Sequence, residues 1–380
     1  MPTACINQSD CRIHLKSERL EVWRRDTASG SDELVREIPI RDLDRLIIAE
    51  SVQITSQALA ALLRADIPVG VLGWNGQFLG GFLPAINKHG LARLRQYQRT
   101  LDPAFVLQMA GRIVAAKLYN QRRVVQRLDA SRRESEPPAP EGRLEAAAPP
   151  VPAEAPPGGG SPAPQPPANA DFPRPDAQSA IKDTLVWLDA LFQPLQRSQT
   201  VDELRGYEGA ATARYFQTWA LFLPQEFPFE RRSTRPPLNA VNACISFGAT
   251  LLYQEAVAFL HAHGLDPALG LLHSTEDGRW GLALDLIEPF RPALVEALAL
   301  DLFSHQMLGA AHFEPRNGGI YLNDEGRKKL ILQYERRMER QFMSECAGHR
   351  TCLRQQLENQ ALTFKSALEN PPAFEPFLMN

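Results

Sequence analysis

Fourteen of the chain's 31 prolines fall between Pro137 and Pro175, with Gly158, Gly159 and Gly160 at the centre and only Leu144, Val151 and Phe172 as larger apolar side chains. So little apolar surface does not offset the entropy of ordering a backbone, and residues 131–176 are expected to form a disordered, partly polyproline tether. A flexible coil of that length spans roughly 40 Å. The chain must therefore fold as blocks on either side of this segment. Outside it, the 380 residues, 44% of them apolar and 22% charged, suffice for cores of ordinary size and exclude a collagen, a coiled coil or a wholly disordered protein.

Before Pro84 the pattern is that of short strands. Apolar and polar residues alternate from Cys11 to Val22 around a Lys16, Ser17, Glu18, Arg19 turn, and a second strand region spans Leu34 to Ile48. Thr55 or Ser56 caps an Ala- and Leu-rich helix to about Arg64, Ile67 to Leu72 is an apolar strand, and Asn75 and Gly76 mark a hairpin turn into Gln77 to Leu83. About six strands and one helix are expected. From Leu91 the period becomes helical, with a break near Asp102 and Pro103, and it recurs over Ala177–Leu195, Val201–Leu223, Ala240–His263, Pro289–Gln306, Glu325–Met343 and Leu353–Leu368. The expectation is an α+β protein. Residues 1–87 form a β-rich, sandwich-like domain, 88–130 the first basic helices, 131–176 the tether and 177–380 a helical domain.

The uncharged stretches Ile67 to Asn87 and Pro236 to Gln254 are too broken by Gly, Pro and Asn to read as membrane spans. Asp10, Arg12, Lys16 and Arg19 leave no apolar run for an export signal, and the cytoplasm is the expected compartment. Five cysteines, an odd number, fit a reducing compartment better than a disulfide framework. Cys346, His349 and Cys352 repeat at a spacing that would align them on a helix, but they lack a fourth zinc ligand unless Cys5, Cys11 and His14 approach, and ordinary helix-surface residues are the preferred reading.

The formal net charge is −3, so a polyanion needs a local patch. Lys88, Arg93, Arg95, Arg99, Arg112, Lys117, Arg122, Arg123 and Arg127 against Asp102 alone give a local +8, which suits a DNA backbone or, more blandly, a solvated helix face. Arg327, Lys328, Lys329, Arg336, Arg337 and Arg340 form a weaker cluster. In the second block, Glu208 lies among small residues that would allow close helix contact. His273 follows the apolar run Leu269 to Leu272. Asp285 and Glu288 stand three residues apart on an apolar turn, facing the same way, and burying them calls for a cation. One His with two or three carboxylates suits Mg²⁺ or Mn²⁺. Singly, Glu208 pairing with Arg214, Asp285 or Glu288 with Arg291, and His273 as a satisfied core residue explain each residue better than a metal does.

The segment from Arg235 to Pro292, with Pro237, Asn239, Asn242, Ser246, Phe247, Gly248, Leu251, Leu252 and Tyr253, then Gly264 to Pro267, Gly270 and His273, then Leu284 to Arg291, closely resembles the CRISPR adaptation integrase, the Cas-one family. Further matching stretches are Glu208 to Phe216, the Lys117, Asn120, Gln121 helix, Gln57 to Gly80, and Tyr321 to Lys328. The resemblance implies an N-terminal β-domain that dimerises and a helical domain that holds a divalent metal through Glu208, His273 and Glu288. Asp285 would be a second catalytic acid, and Arg214 and Arg291 phosphate contacts. It further implies a homodimer, double-stranded protospacer and repeat DNA as partners, and a larger complex with the small Cas-two subunit. The expected reaction is metal-dependent transesterification joining protospacer 3′-OH ends to a CRISPR repeat, with Arg95, Arg99 and Arg123 on the DNA backbone. A structure-selective DNA endonuclease and a non-catalytic DNA-binding scaffold are the alternatives. The tail beyond Arg340 follows no pattern.

Overall fold

The computed structural model describes residues 3–6, 10–25, 31–73, 78–84, 89–135, 177–345 and 348–380. Lys88, the Asn75 and Gly76 turn, Cys346, the side chain of Cys5 and residues 136–176 of the expected tether lie outside the described residues.

The N-terminal block opens with β1 (Thr3–Ile6), β2 (Cys11–Lys16) and β3 (Arg19–Arg25), and β2 and β3 form the expected hairpin with Lys16 opposite Arg19. β4 (Asp32–Pro39), β5 (Arg45–Ala49) and β6 (Gln53–Ile54) follow. The hydroxyl of Thr55 then accepts the Ala58 amide to cap α1 (Ser56–Arg64), which leads to β7 (Val69–Leu72) and β8 (Phe78–Phe82). Among the described residues this makes eight strands in two sheets, ordered β4-β3-β2-β6 and β1-β5-β7-β8. The sheets share one core: Ile13, Leu20 and Val22 come from the first, Leu46, Ile48 and Val69 from the second, and Ala58 and Leu62 from α1. Alternation along β5 sends Ile47 to the opposite face, where it joins Leu72 in the core of the helical block.

α2 (Gly90–Thr100) and α3 (Pro103–Ser135) break where expected, with Pro103 in the first turn and the Asp102 carboxylate accepting the Ala104 amide. α3 continues five residues into the stretch assigned to the tether. α4 (Ala177–Ala190), α5 (Phe192–Gln196) and α6 (Val201–Trp219) pack along it, followed by α7 (Ala240–Ala262) and α8 (Gly281–Ile287). A π turn at Arg291–Glu296 leads into α9 (Ala297–Ser304). The hairpin of β9 (Phe313–Arg316) and β10 (Gly319–Leu322) precedes α10 (Asp324–Glu339), and that of β11 (Phe342–Ser344) and β12 (His349–Thr351) precedes α11 (Leu353–Ala367). Strands of three or four residues carry too little alternation to register in a sequence, so neither hairpin is expected from it. Exposed His349 on β12 and buried Cys352 at the N-cap of α11 do not share the helix face expected of them.

α7 has the length and apolarity of a membrane span, yet 67% of its apolar window is buried against neighbouring elements as the central core helix. It carries Glu255, buried among Arg45 of β5 at 2.6 Å, Arg354 of α11 at 3.1 Å and the Tyr334 hydroxyl of α10 at 3.2 Å. Burial raises the Glu255 pKa, but Arg45 and then Arg354 outweigh it and leave the carboxyl below its ordinary value. One carboxylate thus ties the β-domain to the C-terminal helices. Replacing Glu255 by Ala removes the carboxylate that Arg45 and Arg354 share, while Arg354 keeps Glu335 and Glu339, and should cost about 3–5 kcal/mol of unfolding free energy, read from urea titration; a loss below about 1 kcal/mol would contradict this account.

Candidate active site

Three distant segments meet at Lys117, which α3 carries into the interior with its side chain 3% exposed. Its ammonium pairs with Glu208 Oε1 of α6 and, at 2.5 Å, with Glu288 Oε2 just beyond α8. Glu288 Oε1 accepts from Arg291 Nη1 at 2.9 Å. Thr212, one turn after Glu208, donates to Glu208 Oε1 at 2.9 Å and accepts from Gln121 Nε2 at 3.0 Å, so α3 grips the carboxylate twice. Burial pushes the Glu288 carboxyl up, but Arg291, Lys117 and His273 together hold it down at about 2. Glu288 in turn drives Arg291 well above its ordinary pKa, and Lys117 stays raised because its two acids outweigh desolvation. Glu296, buried on the π turn, is raised by desolvation despite the charge of Arg291.

His273 is presented by the loop between α7 and α8, where two glycines make the approach possible. A Cβ at Gly270 would lie 2.1 Å from the His273 carbonyl oxygen, and one at Gly281 would lie 2.8 Å from the Gly270 Cα. Asp285, fully buried on α8, accepts the backbone amides of Leu271 (2.5 Å), Leu272 (3.0 Å) and His273 (2.9 Å), and His273 Nδ1 at 2.6 Å. A carboxylate only accepts, so Nδ1 carries a proton, and in the neutral ring Nε2 keeps its lone pair. Asp285 and Glu288 therefore do not act together as their spacing suggested: one shapes the His273 loop while the other meets Lys117 and Arg291.

Glu208 and Glu288 converge on one cation, and His273, which when protonated lowers the Glu288 pKa, does not join them; among the described residues no three His, Cys, Asp or Glu side chains form a group that could hold a metal ion. By type, two carboxylates and an imidazole suit a hard divalent ion, and two carboxylate oxygens already share one cation, although His273 is not gathered with them. Glu208 and His273, 24% and 27% exposed, form the accessible side. Gly209 is not the close-contact residue expected, since a Cβ there would meet nothing within 4 Å; only Ala211 of that segment is buried in the core.

The basic helices also differ from the expected surface. Much of α3 is core, and three of its arginines are used by the tail that follows α11, while Arg122 pairs with Asp189 of α4 at 2.6 Å. Arg112 donates to the carbonyls of Pro371, Pro372 and Phe374, and Arg123 and Arg127 donate to the carbonyl of Asn380. Asn120, one turn after Lys117, donates to the carbonyls of Pro289 (2.7 Å) and Phe377 (2.9 Å) and accepts the Met379 amide (2.7 Å), while Phe377 stacks on Phe290 at 4.5 Å. The tail is thus a strap joining α3 to the turn that carries Glu288 and Arg291. Arg95 pairs with Glu369 on the surface, and Arg99 donates to the Leu368 carbonyl and lies over Phe105. Arg214 donates to Thr184 and lies over Trp187 instead of pairing with Glu208.

A cavity of about 1020 Å³ runs from Leu79 and Gly80 of β8 to Arg291, the partner of Glu288. Arg232, Arg235, Arg279, Arg291 and Arg327 line it together with Tyr253, Trp280 and Tyr321. Arg232, Arg235 and Arg279 were missed because they sit in irregular segments with no helical period to gather them; aromatic residues interleaved with arginines were the available signal.

The family model for CRISPR associated protein Cas1 matches residues 4–151 and 169–336, and the chain belongs to that family. A CRISPR-associated exonuclease Cas4/endonuclease Cas1 fusion from Geobacter sulfurreducens is 30% identical over 351 residues, which cover 90% of this chain and 55% of the fusion, so the chain spans about half that relative. Among solved structures, a casposase bound to an integration product superposes with a TM-score of 0.75 at 20% identity, covering 98% of this chain and 91% of that one. A Cas6-RT-Cas1–Cas2 complex matches with a TM-score of 0.73 at 22% identity, over 100% of this chain and 36% of the other. Both share the fold.

Two outcomes follow from this geometry. The folded Glu288 pKa of about 2 lies below the ordinary 4.5, so its stabilising contribution is complete above pH 4.5 and is lost as the pH falls toward 2. The stability difference between the native chain and Glu288→Gln, from urea midpoints at successive pH values, should shrink through that window. Asn120→Ala strands two carbonyls and an amide and should cost about 1–3 kcal/mol per group left buried and unpaired, measured by the same titration.

Proposed function

We propose that this member of the CRISPR-associated Cas1 family is a DNA integrase that joins protospacer 3′-OH ends to the edge of a CRISPR repeat by transesterification. The observation that carries the reading is the acid pair Glu208 and Glu288 converging on one cation, with Arg291, the partner of Glu288, lining an arginine-rich cavity and His273 oriented by Asp285. Glu208, Glu288 and His273 through Nε2 would hold Mg²⁺ or Mn²⁺, which when bound polarises a scissile phosphate and lowers the pKa of an attacking hydroxyl. Asp285 keeps the His273 ring turned and its Nδ1 proton in place. Arg291 lies between the acids and the cavity and is suited to neutralise a phosphate oxygen. The cavity arginines track the DNA backbone in place of Arg95, Arg99 and Arg123, which the fold employs elsewhere, and Tyr253, Trp280 and Tyr321 offer faces for unpaired bases. Two DNA ends require two such sites, hence a homodimer and the Cas2 subunit; the Cas1–Cas2 assembly of similar fold supports that partner.

A DNA endonuclease would use the same groups with water as nucleophile, the activity in the name of the Geobacter relative. The closed ion-pair set of Lys117, Glu208, Glu288 and Arg291 favours a third reading, a DNA-binding scaffold whose acids are purely structural. Purified protein, with and without Cas2, is incubated with Mn²⁺, a labelled duplex bearing 3′-OH ends and a supercoiled repeat plasmid. Strand-joined product is expected. Nicking alone would favour the nuclease, and retarded but unchanged DNA the scaffold. His273→Ala should abolish joining and leave duplex binding nearly intact, and Asp285→Asn should lower joining by about 10–100-fold.

A further inference from the structure

We propose that Lys117 is the resident counter-cation of the acid pair and that a divalent ion enters by displacing its ammonium. The inference rests on the metal-dependent reading above and concerns a residue which that reading leaves without a role. Lys117 Nζ stands where Glu208 Oε1 and Glu288 Oε2 converge, so ammonium and ion compete for the same oxygens. With Arg291 on the second oxygen of Glu288, the two acids and two bases sum to zero charge, and nothing draws in a further dication while the ammonium stays. Removing the ammonium leaves one net negative charge on two oxygens already aimed at a common point. The acids are not free to splay apart: Thr212 and Gln121 hold Glu208, and the Asn120 contact with the Pro289 carbonyl holds the turn of Glu288. The lysine stem is flexible, so the head group leaves without moving α3. Lys117 thereby keeps the carboxylates together before the ion arrives and sets how much ion is needed.

Mn²⁺ alone is the probe, with free ion measured by electron paramagnetic resonance in native protein, Lys117→Met and Lys117→Arg, each checked for native circular dichroism. Lys117→Met should bind Mn²⁺ about tenfold more tightly, because the competing state is removed, and Lys117→Arg should bind no more tightly than the native chain. Equal or weaker binding by folded Lys117→Met, with the native chain binding normally, overturns this inference alone; binding by neither overturns the metal reading with it. Should Lys117→Met fail to fold, the native chain still decides. Acylation of Lys117 by an N-hydroxysuccinimide ester, followed by peptide mass spectrometry, should rise severalfold on adding Mn²⁺, and an unchanged yield overturns the displacement.

Discussion

One buried ammonium, Lys117, holds together three parts of the chain that share no local contact in sequence. α3 supplies it, α6 brings Glu208 and the turn after α8 brings Glu288. Desolvating such groups costs several kcal/mol per ion, and apolar side chains of the same volume would serve stability as well or better. The network therefore specifies geometry more than it stabilises. It requires that α6 and the Glu288 turn approach α3 in one register, because any other leaves a charge buried and unpaired.

The same constraint extends outward along α3. One turn beyond Lys117, Asn120 joins Pro289 to Phe377, and on the following turns Arg123 and Arg127 secure the end of the strap. Phe377 against Phe290 seals the back of the turn that carries Glu288 and Arg291. The position of Glu288 is thus enforced twice, by its ion pairs with Lys117 and Arg291 and by the apolar stacking of Phe377 on Phe290. Asp285 plays the corresponding part for His273, spending every acceptor on the loop that presents it. Such support lets a loop hold a functional ring at a fixed angle.

Much of the fold could be read directly. The β2–β3 hairpin, the Thr55 cap, the break at Asp102 and Pro103 and the long helices all follow from period and capping, which are local. The acids stand out because carboxylates in apolar surroundings demand partners, and the family resemblance is what joins them into one set. The partners themselves were not. Arg291 was named, but Lys117 was counted among the charges of a surface stripe, since a lysine at a helical spacing looks alike whether it meets water or a carboxylate from another helix. Asn242 and Ser246, noted only for their resemblance, hold Arg232 and so shape the cavity wall.

Residue order alone determined the α+β division, the β-rich block ahead of the helical one and the identity of Glu208, His273, Asp285 and Glu288 as the side chains in need of explanation. These depend on periodicity, capping and the cost of burying charge, none of which requires knowing what lies across the core. Tertiary structure decided which acid faces which base, turned Arg112, Arg123 and Arg127 of α3 from a surface patch into anchors for the strap, and assembled the cavity from β8, α7 and the loops. Those outcomes depend on distances between segments far apart in the chain, set by how whole helices pack, and a one-dimensional pattern carries no such distances.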